Sequence, residues 1–248
     1  MTTCLEKHEK LIFIAVLLLG LTVTHRQMLF SGFALTHGDS GDSVLVNFLL
    51  EHGYLWATGD PLHNSYWDPP FFAPHKNVGA YTEALLSVMP FYGVPRLLGA
   101  GPATAYQIFF FLVSLVNFTV CFLFLKKELR FSALASSIGA YLFSFAAARS
   151  NQFSHIQLWP QFLVVLSVWG LMLIWRLPHA PSRRDVVRAF TLCAAPVAAQ
   201  VYSNVYYAWF LGLGYVIVAI YALVQPALRR QIAARCRRLW LPACLTTV

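Results

Sequence analysis

The run Thr104–Leu125, TAYQIFFFLVSLVNFTVCFLFL, closed by Lys126 and Lys127, decides the fold of this chain. It holds 22 residues and no charge. As a helix it rises about 33 Å, enough to cross the roughly 30 Å hydrocarbon layer of a bilayer. Backbone groups in lipid have no water to bond, so a crossing segment is a helix or part of a closed barrel. Barrel strands alternate polar and apolar residues in short segments, and no such segments stand out here.

Outward from that run the pattern repeats. Apolar blocks lie at Leu11–Phe30, 132–148, 158–175, 189–205 and 207–224, and a seventh begins near Leu239 and stops at Val248. Apolar residues make up 58% of the 248 positions and charged ones 11%, too little charge to cover a soluble domain of this length. The expectation is an all-α polytopic membrane protein of about six or seven transmembrane helices, one domain over 1–248. A large loop, 31–103, separates the first two spans. The first block has a basic lead and a small-x-small site at Gly32-Phe33-Ala34, as a signal peptide would. The multispanning remainder favours a retained span, with His25, Arg26 and Gln27 at its far interface. The last block has no polar tail, which reads as the N-terminal part of something longer.

The net charge of +8 sits in clusters between the blocks: Lys126, Lys127 and Arg130; Arg176, Arg183, Arg184 and Arg188; Arg229, Arg230, Arg235, Arg237 and Arg238. Short loops rich in Lys and Arg stay in the cytoplasm. The clusters are therefore topology determinants and anionic-headgroup contacts rather than a nucleic-acid surface. This orientation puts the N-terminus inside a cell membrane. The 31–103 loop, Arg149–Gln157 and the Tyr202–Tyr207 turn then lie on the extracytoplasmic face. Cys4, Cys121, Cys193, Cys236 and Cys244 have no metal-ligand spacing and read as small apolar or reduced residues.

Inside the loop, Asp39-Ser40-Gly41-Asp42-Ser43 is a helix start. Val44, Leu45, Phe48, Leu49, Leu55 and Trp56 then recur at helical spacing, with Asn47, Glu51 and Tyr54 on another side. This predicts an amphipathic helix lying on the outer membrane surface. Residues 58–83, rich in Pro, Asn, Gly and aromatics, read as ordered coil. Thr82–Leu98 adds a short helix interrupted by Pro90 and Pro95.

The residues with chemistry fall in three groups. In His37-Gly38-Asp39-Ser40-Gly41-Asp42-Ser43, two carboxylates three apart can serve as a base for a hydroxyl nucleophile or hold a divalent cation. Equally, Asp39 or Ser40 caps the helix, a role such residues fill at helix starts. In Trp67–Asn77, Trp67 and its neighbours can stack on sugar faces, and His75 or Lys76 can meet a phosphate. The alternative is an aromatic interface belt. In Arg149–Gln157, Arg149 and His155 offer donors at headgroup depth, against the reading of a plain solvated loop. Tyr202, Asn204, Tyr206 and Tyr207 form a further outer turn. Asn117-Phe118-Thr119 has the glycosylation spelling but lies within a span. The chain has no Walker loop, HExxH or GxSxG.

These residues resemble the N-terminal half of GT-C class membrane glycosyltransferases, and more narrowly the bacterial proteins related to the protein-mannosyltransferase and lipid-A-sugar transferase group. Four features carry the resemblance: the acidic pair Asp39 and Asp42 just after the first span; the surface helix within Gly41–His52; the aromatic-proline stretch leading to Asn77-Val78-Gly79-Ala80-Tyr81-Thr82-Glu83; and His155-Ile156-Gln157 with Trp159-Pro160 opening a span. The resemblance implies transfer of a sugar from a polyprenyl-phosphate donor to an envelope glycan, lipid or protein on the extracytoplasmic face. It implies Asp39 as base and Asp42 as its helper or as a ligand, with Asp39, of a divalent cation, magnesium or manganese. Trp67, His75, Lys76, Glu83, Arg149 and His155 become substrate-binding candidates.

Two other classes compete. A lipid or solute transporter places ionisable residues mid-span or uses broken helices and inverted repeats, whereas here they cluster in outer loops. A non-catalytic membrane scaffold would use the loop as a partner surface, and it predicts that Asp39 and Asp42 are dispensable.

Overall fold

The computed structural model describes residues 2–72, 74–178 and 181–234. The expected seventh span from Leu239, the basic residues Arg235, Arg237 and Arg238, and Cys236 and Cys244 lie outside the described residues, as does the side chain of Cys4. All regular structure among the described residues is helical. Helix α1 (Thr2–Thr24) and short α2 (Arg26–Phe30) are followed by α3 (Asp42–Thr58), α4 (Pro90–Leu97) and α5 (Pro102–Leu123). After them come α6 (Ala133–Phe145), α7 (Ala147–Ser150), α8 (Phe162–Trp175), α9 (Arg183–Val201) and α10 (Val205–Val224).

Local sequence sets these limits. Ser132, Ser182 and Asn204 each accept a backbone N–H, from Ala135, Asp185 and Tyr207, at the starts of α6, α9 and α10. Pro90 and Pro102 occupy first-turn positions of α4 and α5, where a missing N–H is harmless. Gly59 closes α3 with φ +81°, a left-handed conformation suited to glycine.

Three stretches are long and apolar enough to cross a membrane: Pro102–Glu128, Ile156–Trp175 and Val205–Val224. The other expected spans are helical but shorter or more charged. Helix α6 has 13 residues, about 20 Å of rise. Helix α1 runs back through the charged lead to Thr2, leaving Leu11–Thr24 as its uncharged part. Helix α9 begins with Arg183, Arg184 and Asp185.

Helix α1 packs on α6, α5 on α6, and α8 along α9. Glycines let these backbones close up. A Cβ on Gly20 would lie 2.2 Å from the Phe145 ring, and one on Gly170 would lie 2.2 Å from the Cys193 backbone nitrogen. The Ser167 hydroxyl ties the same crossing by donating to the Cys193 carbonyl at 2.7 Å.

One core lies within the bundle, around Leu17, Phe118, Phe122, Ala140 and Phe145. A second joins the loop to the bundle: Leu50 of α3, Val88, Tyr92 of α4, Phe109 and Phe110 of α5, and Trp159. The loop therefore packs onto α5, and only part of the expected apolar face of α3 takes part. Val46, Leu49, Leu50 and Gly53 are buried against α4 and α5, whereas Val44 and Leu45 are 60% and 42% exposed. Period counting grouped Leu49 with Val44 because both are apolar. Tertiary packing separates them.

Candidate functional site

Between α7 and α8 the chain leaves α-helical geometry, with one 3-10 turn at Ile156–Leu158, yet Ile156 and Trp159 are fully buried. Irregular backbone inside an apolar bundle requires side-chain partners. Asn117 of α5 supplies two. Its Nδ2 donates to the Trp159 carbonyl at 2.7 Å and its Oδ1 accepts the Phe162 N–H at 2.8 Å. Arg149 supplies two more, Nη1 to the Leu158 carbonyl at 3.0 Å and Nη2 to the Trp159 carbonyl at 2.7 Å. Its guanidinium also lies 5.2 Å from the Trp159 ring centroid.

This segment forms one wall of the site. Phe153 stacks on His37 with centroids 3.8 Å apart and on Trp159 at 5.0 Å. His37 Nε2 lies 3.0 Å from Nδ1 of His25, whose Nε2 meets the Ser114 hydroxyl at 3.1 Å. His25 is fully buried, and burial of an imidazole requires such partners. Burial also pushes His37 down to about 4.

The His25–His37 contact fixes the approach to the acidic pair. Gly38 follows with φ +104°, and a Cβ there would sit 1.8 Å from the Ser43 hydroxyl oxygen, so only glycine fits. That hydroxyl accepts the Asp39 N–H at 3.0 Å, while Asp39 Oδ1 accepts the N–H groups of Gly41 at 2.9 Å and Ser43 at 3.4 Å. Asp39 thus caps the start of α3, one of its two sequence readings. The Ser154 side chain, the Gly41 N–H and then the Ser43 N–H hold its carboxyl below the usual range, against a smaller upward push from burial. Asp42 is separately placed, its Oδ2 3.5 Å from Nδ1 of His155. The fold thus brings Asp39, Asp42, Ser154 and His155 together. Ser154 carries no signal of its own in the sequence beyond its place beside His155.

Beside the pair a cleft of about 670 Å³ runs along α3, lined by Ser40, Gly41, Phe48, Phe71, Phe72 and Tyr81 among others. The remaining candidates make other contacts. His75 and Lys76 are exposed and bond to none of Asp39, Asp42, Arg149 or His155. Trp67 is 39% exposed, with its ring against Tyr66. Glu83 Oε2 accepts the Val205 N–H at 3.1 Å, anchoring the loop to the positive end of α10. Burial raises its pKa in spite of that bond.

No group of three His, Cys, Asp or Glu among the described residues is arranged to hold a metal ion.

A second groove, about 480 Å³, lies between α8 and α10 and is almost wholly apolar. Its polar end is Gln161 with Tyr207, whose hydroxyl accepts from the Gln161 amide. The Tyr207 hydroxyl donates at 3.0 Å to the same Leu158 carbonyl that holds Arg149. Arg149 Nε has no partner, and no carboxylate pairs with this buried cation among the described residues.

Comparison with protein-family models, with curated proteins and with solved structures finds no match.

Proposed function

We propose that the chain is a membrane glycosyltransferase that moves a sugar from a polyprenyl-phosphate donor to an acceptor on the extracytoplasmic face. The reading places it in a cell membrane with six or seven spans and its N-terminus in the cytoplasm. The observation that carries it is the acidic pair Asp39 and Asp42 beside an open cleft, with the buried Arg149 left without a carboxylate partner among the described residues. The gathering of the loop, residues 149–159 and the Tyr202–Tyr207 turn at one end supports the topology. Ser87 N donates to the Tyr202 carbonyl, and Asn204 Nδ2 to the Gln157 carbonyl. At the other end Glu128 receives Arg176, and Lys126 meets Glu9.

In this reading the free oxygen of Asp39 takes the proton of the acceptor hydroxyl as its oxygen attacks the anomeric carbon. The bond from that carbon to the lipid phosphate breaks, and the electron pair leaves on the phosphate. Positive charge must meet it there, and this reading assigns that to the buried Arg149, which shares the Leu158 carbonyl with Tyr207 of the apolar α8–α10 groove. The groove suits the isoprenoid chain. His155 lies 3.5 Å from Asp42, and Asp39 with Asp42 would be the residues to hold a divalent cation, which would supply further positive charge for the leaving phosphate.

Membranes containing the chain, given labelled polyprenyl-phosphate sugars and extracted envelope acceptors, should transfer label in a donor-dependent way. Absence of transfer with every donor sugar, from correctly inserted protein, would overturn the reading.

A further inference from the structure

The outer wall of the 670 Å³ cleft is a strap, residues 61–72 and 74–82, that lies against α3. Its hydrogen bonds to α3 run through one buried side chain, His52, which is 2% exposed. His52 Nε2 lies 3.0 Å from the Tyr66 carbonyl oxygen, which can only accept, so Nε2 carries the proton. In the neutral ring Nδ1 is then a bare acceptor. His63 Nδ1, 2.7 Å away, must therefore donate to it. Further along the strap, the Tyr66 hydroxyl donates to the Ala84 carbonyl and Phe71 packs on Phe48 of α3.

We propose that the His52–His63 contact is an acid-released latch that holds the strap, residues 61–72 and 74–82, against α3 beside the cleft. The latch concerns the strap alone and stands whether or not the cleft belongs to a glycosyltransferase.

A proton on the outer Nε2 of His63 would leave the Nδ1–H···Nδ1 bond intact. Only a proton on His52 Nδ1 removes the acceptor and sets two donors face to face. Burial, partly offset by the Tyr66 carbonyl, and then the His63 charge hold His52 below the ordinary imidazole range. The latch therefore holds at neutral pH and opens as pH falls through that lowered value. The ionisable groups around the pair are Glu51 of α3, tied to Arg96 and Tyr92 of α4, and Asp60 and Tyr66 at the strap.

Hydrogen exchange on the full chain in lipid nanodiscs tests this, read as protection of peptides covering 61–82 from pH 7.5 down to 4.5. The native strap should lose roughly tenfold or more protection in acid, the scale of one lost hydrogen bond, while α5 keeps its own. His63→Ala should show the open strap already at pH 7.5. His52→Gln, which keeps an acceptor and a donor but cannot titrate, should stay protected throughout. Protection of the native strap that does not change with pH, or parallel loss in α5, would overturn the latch. So would His63→Ala protection equal to native.

Discussion

Asn117 and Trp159 are joined across the break before α8, the Asn117 amide donating to the Trp159 carbonyl at 2.7 Å from the middle of a 22-residue apolar helix. The same amide accepts the Phe162 N–H. Asn117→Ala should strand both backbone groups in a site that excludes water, at about 1–3 kcal/mol for each. Thermal unfolding in detergent should show the loss. Asn117→Asp, which keeps the acceptor but loses the donor, should fall between. Equal stability of Ala and native protein would mean that water replaces the amide.

Glu51 and Arg96 make a two-pronged pair, Nε to Oε2 at 2.8 Å and Nη2 to Oε1 at 2.7 Å, each side chain 18% exposed. It ties α3 to α4. Burial pushes the Glu51 carboxyl up, but the Arg96 and Tyr92 hydrogen bonds outweigh it and hold the carboxyl below its usual range. A lowered folded value means that the stabilisation is full above the unfolded carboxylate range and is lost as pH falls through the folded one. Arg96→Ala should cost about 1.5–3 kcal/mol at pH 7 and less in acid. Denaturant titration at both pH values checks the sign.

The helices were legible in the sequence because long uncharged runs leave little choice of structure. What joins them was not. Asn117 read as an unused glycosylation spelling, and nothing local says that its partner lies 42 residues on. Leu49 and Val44 look alike on a helical wheel, yet one is in the core and the other faces out. His25 looked interfacial because it is polar at a span end, and only the fold shows His37 and Ser114 waiting for it. Of the site, Asp39, Asp42 and His155 were legible as polar islands between apolar blocks. Their meeting was legible only as a shared face.

Gly170 is where α8 meets α9, and a methyl group there would overlap the Cys193 and Leu192 backbone. Backbone cannot swing aside as a side-chain tip can. Gly170→Ala should force the helices apart, costing about 1–3 kcal/mol or more and breaking the Ser167 to Cys193 bond. Gly212, with nothing within 4 Å of its Cβ position, is the control: Gly212→Ala should be neutral or stabilising. Thermal stability of the two variants in detergent compares them directly.

Topology follows from the basic clusters. A reporter fused after Lys127, Arg184 or Arg230 should read cytoplasm, and one at Asn64 or Ser150 the outer face. A cytoplasmic signal at Asn64 would put the acidic pair on the wrong side for an extracytoplasmic donor.

Asp39→Asn separates the two roles that the structure leaves on one residue. Asn keeps Oδ1, so it can still accept the Gly41 and Ser43 N–H groups, and helix starts tolerate it. Folding and topology should be unchanged. It cannot take a proton from an acceptor hydroxyl, and removing a general base typically costs about 100- to 10,000-fold in rate. A capping role predicts near-normal transfer, and a catalytic role predicts loss. Asp42→Asn should lose less if Asp42 only orients His155 or a cation, and loss confined to Asp42→Asn would reverse the two roles. The pH profile adds an independent reading. The Ser154 side chain is the largest influence holding the Asp39 carboxyl low, so native activity should persist into acid below the ordinary carboxylate range. Ser154→Ala lets that carboxyl rise, and the acid limb of the rate profile should move to higher pH while the neutral plateau stays. An acid limb indifferent to Ser154 would remove Asp39 as the base.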